Sequence, residues 1–161
     1  MKNQLLENFL KTNKSVDIGF SEINLFDLES FDEHQIGYRV DTNGKSLLSQ
    51  KKEDWQNDWF VIGYDEFGDP IIADLSDKNI PIYSSEHGQD EWELSLVSES
   101  IEAFEKSLTI LREISIGREN PNKYEENPLP EKEKENALER IQKINKNIEI
   151  DWWKLKLDND D

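Results

Sequence analysis

The chain has 161 residues, 34% of them charged, carries a net charge of −17 and contains no cysteine. That length suits one compact domain with one core, and the lack of Cys excludes disulfides and thiolate metal sites. The negative field repels phosphate backbones and anionic headgroups, so neither nucleic acid nor membrane is an expected partner.

Sixteen aromatic residues, five of them Trp, argue for a packed interior rather than a disordered chain. No segment approaches the ~20 apolar residues needed to span a bilayer. The opening MKNQLLENFLKTNK lacks the apolar run of an export signal, so the expected location is cytoplasmic. The charge is uneven: residues 59–105 hold 12 acidic side chains and one basic, whereas residues 1–58 are net −4 and residues 106–161 net −2.

In chain order, residues 2–12 read as an amphipathic helix, with Leu5, Leu6, Phe9 and Leu10 on one face. Val16 to Phe31 fits either a short helix or extended chain. Gln35 to Val40 reads as a strand, turning at Asp41-Thr42-Asn43-Gly44 into a partner at Lys45 to Leu48. Lys51 to Asp58 is polar and reads as a loop or a single helical turn.

Trp59-Phe60-Val61-Ile62 is a continuous apolar run typical of a buried strand, and Ile71-Ile72-Ala73 is a second. Asp65 to Asp69 joins them, with Gly68 for the turn and Pro70 at the strand start, where a missing N–H is tolerated. Ile80-Pro81-Ile82-Tyr83 reads as a third strand, placed at a sheet edge by Pro81. The three form an antiparallel meander.

After the loop Ser84 to Glu93, a helix starts at Ser98 or Ser100, either of which can cap it. It buries Ile101, Phe104, Leu108 and Leu111 and ends at Gly117. Arg118 to Pro130 reads as a loop. Glu131 to Lys146 is a second helix with an apolar stripe of Leu138, Ile141 and Ile144, and Pro130 sits in its first turn. Asp151 can cap a last short helix carrying Trp152, Trp153, Leu155 and Leu157. The tail Asp158 to Asp161 is expected to fray.

The stretch Trp59 to Leu94 contains nine carboxylates, one Lys and one of the two His, and so raises the question of a site. His87 with Asp90 or Glu91 would need a third metal ligand from elsewhere. The turn from Asp65 to Asp69 lacks the spacing of a calcium loop. Nucleophilic catalysis has no Cys and no Gly-x-Ser-x-Gly elbow to work with. Carboxylate-pair chemistry needs burial to split two pKa values, and these acids lie on turn-rich, solvated segments. The expectation is therefore no catalytic residue, no metal and no cofactor.

His87-Gly88 reads as a structural loop element, with Trp92 packed beneath it. Asp69 and Asp74 read as turn and cap residues. That leaves Asp65, Glu66, Glu86, Asp90, Glu91 and Glu93 as the candidate surface for a basic protein partner. A solvated, purely solubilising surface is the plain alternative.

Several of these residues resemble the SUKH superfamily of Smi/Knr-type proteins. They are Trp59-Phe60-Val61-Ile62-Gly63, Gly68-Asp69-Pro70-Ile71, Asp74, Ile80-Pro81-Ile82-Tyr83, His87-Gly88, Trp92 and Ser100 to Phe104. The resemblance covers 59–104 well, extends loosely from Gly37-Tyr38 through the Gly117 to Pro121 loop, and is poor over the first 35 residues. It implies an α+β fold, with a central, mostly antiparallel sheet flanked by helices. The whole chain, 1–161, would be one such domain, with a C-terminal helical extension at 118–157.

The resemblance also implies the role common among bacterial members. That role is a non-catalytic immunity protein which neutralises a cognate toxin, frequently a nuclease. A regulatory scaffold binding endogenous proteins is the alternative. Gly63, Gly68, Asp69, Pro70, Asp74, Tyr83, His87, Gly88 and Trp92 would then be frame residues. The family carries no catalytic set to transfer, and its contact surface varies between members.

Overall fold

The computed structural model describes residues 3–158. The architecture is α+β: a six-stranded antiparallel sheet in the order β1-β2-β3-β4-β5-β6, flanked by helices. The strands are β1 (Val16–Ile18), β2 (Ser21–Leu25), β3 (Trp59–Asp65), β4 (Pro70–Asp74), β5 (Ile82–Ser84) and β6 (Ser95–Ser98). The helices are α1 (Gln4–Thr12), α2 (Ile101–Ser115), α3 (Pro121–Glu126), α4 (Glu131–Ile144) and α5 (Asp151–Leu157). Every strand neighbours its sequence neighbour, so the sheet is a plain meander built from local connections.

Period-two alternation divides the side chains between two cores. Ile62, Ile71, Ala73, Ile82 and Val97 face the helices and pack with Leu6, Phe9, Phe104, Leu108, Ile141 and Trp153. Val61 and Ile72 point to the opposite face, where Phe26 and Trp55 are buried with them and Tyr38, Trp59, Tyr83 and Trp92 pack around. Helix α2 lies against α1, α4, β1 and β6. Its predicted stripe of Ile101, Phe104, Leu108 and Leu111 is buried throughout. Ser100 Oγ accepts the Ala103 N–H at 3.0 Å, which selects Ser100 over Ser98 as the cap.

Several expectations are corrected. The ambiguous stretch after Val16 is a β-hairpin: Val16 pairs with Ile23 and Ile18 with Ser21 across a turn at Gly19, whose φ is +60°. Gln35 to Val40 is not a strand. A 3-10 turn occupies Glu33–Gln35, and only isolated bridges join Val40 to Ile36 and Ser46, although the turn at Asp41–Gly44 forms. The physical reason is Gln35, whose buried amide behaves as a strand neighbour for β3. Its Nε2 donates to Val61 O at 2.8 Å, and its Oε1 accepts the Val61 N–H at 3.1 Å.

Pro81 does not mark an edge strand. It precedes β5, which lies inside the sheet between β4 and β6, and its carbonyl accepts the Asp74 N–H at 3.1 Å. Ile80, fully buried, adopts φ +53°, a left-handed conformation that strains a β-branched residue by ~1–3 kcal/mol. Its N–H bonds to Asp77 O, and the neighbouring Asn79 O receives the first N–H of α2. The strand therefore begins only at Ile82.

Strand β6 occupies Ser95–Ser98, a stretch that lies past the expected Ser84 to Glu93 loop and overlaps the helix start offered at Ser98, and α3, capped by Asn120, occupies part of the predicted 118–130 loop. In α1, Leu6, Phe9 and Leu10 are buried but Leu5 is exposed. Asn3 caps that helix, and Lys2 lies outside the described residues. Asp151 is the first residue of α5 rather than its cap. The expected frayed tail lies outside the described residues beyond Asp158.

Gly63 is required by close approach rather than by its dihedrals. A Cβ there would lie 2.2 Å from Asn24 O on β2, at the bulge where β3 shifts register between Val61 and Gly63.

Candidate docking site

The site grows out of the β3–β4 turn. Asp65 ends β3, and its Oδ1 accepts the N–H groups of Phe67 at 3.0 Å and Asp69 at 3.1 Å, closing the turn with Gly68 at φ +81°. Its other oxygen, Oδ2, lies 2.9 Å from Lys156 Nζ, which also meets Glu66 Oε2 at 2.6 Å. The ammonium sits 4.7 Å from the Trp152 ring centre and 5.6 Å from that of Phe67. Lys156 is 1% exposed and Asp65 4%.

These two acids therefore do not belong to a free surface. Asp65 and Glu66, expected to face a partner, are consumed by an internal ion pair with α5. A buried carboxylate without a counter-charge is expensive, and this contact supplies one.

Asp69 then holds the next loop. Its Oδ1 accepts the His87 N–H at 2.9 Å and lies 2.7 Å from His87 Nδ1, so the imidazole pairs with a carboxylate rather than with local backbone. Gly88 follows at φ +78°. At the far end of the loop, Trp92 packs edge-on against Trp55 at 5.1 Å and tilted against Tyr38 at 5.7 Å. The Trp92 backbone N–H also donates to Glu53 O.

Burial first, then the negative charge of Asp69, pushes the Tyr38 phenol above its ordinary range. Burial followed by Asp74 and Asp77 does the same for Tyr83. Both phenols are neutral at neutral pH. Asp74 caps its own turn by accepting the Ser76 N–H at 2.9 Å. Pro70 and Gly63 lie in the paired strands.

From Ser85 to Ser95 the chain folds round a cavity of about 520 Å³, open to solvent and lined by Ser85, Glu86, Gln89, Asp90, Glu91, Glu93 and Ser95. The structure thus brings Glu86, Asp90, Glu91 and Glu93 together, as four of the six acids read from the sequence, and among the described residues no cationic side chain lines the same groove. Among the described residues, none of the four joins an ion pair; Glu86 receives one long contact, at 3.4 Å, from Gln89 Nε2. Among the described residues, no three His or carboxylate groups converge as a metal site. Ser85, Gln89 and Ser95 were invisible to a reading that ranked residues by charge.

A second groove, about 380 Å³ between α2 and α4, is lined by Lys106, Thr109, Ile110, Arg140, Lys143 and Ile144. Its three cations are already paired with Glu102, Glu113 and Glu139. The two grooves thus differ in kind, since one has neutralised charges and the other has unpaired ones.

Comparison with known proteins agrees with this frame. The model of the SMI1/KNR4 family (SUKH-1) matches residues 4–107. The match runs from α1 into α2, and it includes residues 4–35, where the sequence resemblance was poor. It takes in the β3–β4 turn, the His87 loop and the acidic groove, and it ends before α3, α4 and α5. Searches of curated proteins and of solved structures found no match. No helix among the described residues is long and apolar enough to cross a membrane. On its sheet, its turn residues and this match, the chain belongs to the SMI1/KNR4 family (SUKH-1).

Proposed function

We propose that this protein is a non-catalytic immunity protein that binds and neutralises a basic bacterial toxin, a nuclease being the class that best suits an acidic inhibitor. The observation that carries the reading is the groove in which Glu86, Asp90, Glu91 and Glu93 converge without a counter-ion among the described residues. Unpaired exposed carboxylates gathered on one concave surface sum to a negative field that speeds the arrival of a positively charged protein. A toxin that handles phosphates is basic for the same electrostatic reason, and an acidic protein can occupy its cleft.

The partner is bound, not converted. Asp65 and Glu66 are committed to Lys156 and Asp69 to His87, and the phenols of Tyr38 and Tyr83 stay protonated, so these groups serve as frame. Family membership equally admits a regulatory scaffold for endogenous proteins, and gene context separates the two: an adjacent toxin gene favours immunity, and an isolated gene the scaffold.

The test is co-expression of the toxin domain encoded beside this gene, with and without the protein. Restored growth and a complex that dissociates as salt is raised support neutralisation. Failure to restore growth, or no complex at low salt, removes it.

A further inference from the structure

Phe67, in the β3–β4 turn, is 66% exposed. That exposure does not come from a loose loop. Asp65 Oδ1 accepts the Phe67 N–H at 3.0 Å, Asp65 O accepts the Gly68 N–H at 2.9 Å, and Asp65 itself is clamped by Lys156. The turn is fixed at its base, so the ring is presented in one place.

A second apolar side chain joins it from a different element. The Lys156 ammonium lies 5.6 Å from the Phe67 ring centre and 4.7 Å from that of Trp152, so two rings flank one buried cation. Leu155 is next to Lys156 and one helical turn from Trp152, and it is 58% exposed. Single apolar residues at a surface are ordinary, but here a turn and a helix place Phe67, Leu155 and the half-buried Trp152 round the same lysine.

This patch adjoins the acidic loop. A Cβ on Gly68 would lie 3.7 Å from His87 Cε1, so the turn and the loop meet there. Phe67 precedes Gly68 in the chain, and Glu86 precedes His87.

We propose that Phe67, with Leu155, is the apolar anchor of the docking face, and that it seats in an apolar hollow rimmed by Lys or Arg on the basic partner protein. The proposal rests on the docking reading above and deepens it, because it names the residue that sets how long the complex lasts. Charge complementarity selects this occupant: an apolar patch bordered by carboxylates matches a surface where cations border an apolar hollow. A second copy of this chain fits poorly, since its net charge of −17 opposes self-association. The two features act on different rates. Charge governs encounter at a distance, whereas a buried aromatic contact governs release. A Phe on a turn that is already fixed also loses little conformational freedom on binding.

The test measures association and release of the toxin domain encoded beside this gene, by surface plasmon resonance with the full chain. Phe67→Ser is expected to speed release by at least about tenfold, while the association rate and its salt slope stay within about twofold of the parent. Leu155→Ser is expected to speed release by a smaller factor, and Phe67→Tyr to keep it slow. Leu47→Ser is the control. Leu47 is 42% exposed, and its N–H bonds to Arg39 O while Arg39 holds Trp59 O, at the opposite end of β3. It is expected to change neither rate. Urea midpoints check that each variant folds, and Leu155→Ser carries the same test from α5 if Phe67→Ser is destabilised.

Release unchanged in Phe67→Ser and Leu155→Ser, or equally faster in Leu47→Ser, overturns the anchor while the complex itself stands. A parent chain that sediments as a dimer, lost in Phe67→Ser, assigns the patch to a second copy and overturns it as well. A parent chain that forms no complex at low salt removes the docking reading and the anchor with it.

Discussion

Lys156 on α5 and Asp65 at the end of β3 form an ion pair of 2.9 Å from which water is almost wholly excluded, and Glu66 makes it a triad. Breaking such a contact from one side strands a buried charge, which costs about 3–5 kcal/mol. Lys156→Met is expected to lose that much in urea denaturation with an unchanged m-value. Adding Asp65→Asn and Glu66→Gln to it is expected to restore part of the loss, because the carboxylates then no longer need a cation. A Lys156→Met variant as stable as the parent would show that the triad adds nothing to the fold.

Gly63→Ala is expected to be far worse than an alanine elsewhere in a turn. The new methyl meets the backbone oxygen of Asn24 at 2.2 Å, and the two residues lie on paired strands. Overpacking of this kind costs ~1–3 kcal/mol, and the upper end is expected because neither strand can rotate away. Hydrogen exchange at Phe26, whose N–H bonds to Ile62 O, is the local readout. Gly44→Ala, at φ +80° with open space around it, carries only the dihedral penalty of ~1–2 kcal/mol.

Glu119 titrates far below an ordinary glutamate, at about 2. The Lys123 ammonium at 2.9 Å is the main cause, followed by the Gly117 N–H, also at 2.9 Å. A carboxylate whose folded pKa is depressed contributes stability above its unfolded pKa and loses it as pH falls through the folded value. The contribution is therefore complete at neutral pH, declines below the ordinary glutamate range and is gone below about 2. Carbon-13 detection of the Glu119 carboxyl should follow the low midpoint, and Glu119→Gln should flatten that limb of the stability curve. A midpoint in the ordinary range would refute the contact in solution.

Charge reversal of Glu86, Asp90 and Glu91 to lysine is expected to leave folding intact, since all three are exposed and outside any ion pair among the described residues. Association with the neighbouring toxin domain should slow by at least about tenfold at low salt and lose its salt dependence. The same reversal at Glu125 and Glu135, on α3 and α4, should leave the rate near that of the parent. Equal effects from both sets would move the docking face elsewhere.

The strands that could be read in advance were those with a strong local signal. Trp59 to Ile62 and Ile71 to Ala73 are continuous apolar runs, and each proved to be a central strand. Strand β6 is only Ser-Leu-Val-Ser, too short and too hydroxylated to register against a helix beginning three residues later. The hairpin after Val16 hid because its alternation lasts three residues in β1 and five in β2.

Of the acids, the clustering of Glu86, Asp90, Glu91 and Glu93 round one groove was legible from charge density alone. Asp65 and Glu66 were misread because their partner lies some ninety residues away on α5. A signal did exist there: Trp153, Lys156 and Leu157 follow at i, i+3 and i+4, which places a lysine on the buried stripe of a helix, and such a lysine requires an acid. The Gln35 amide could not have been foreseen, since nothing in its neighbourhood tells a side chain that imitates a strand from one that faces water.

The stretch shared with the family stops at residue 107, yet the fold does not. Trp153, fully enclosed, donates its indole N–H to Val97 O at 2.8 Å and packs on Phe104, while Lys156 neutralises the carboxylates at the β3–β4 turn. A fragment cut at the limit of kinship would expose the inner surface of β6 and α2 and leave two acids stranded without their cation. In this chain the family match ends inside α2, while Ala137, Ile141, Trp153 and Leu157 from the helices beyond it are packed into the same core as the matched strands.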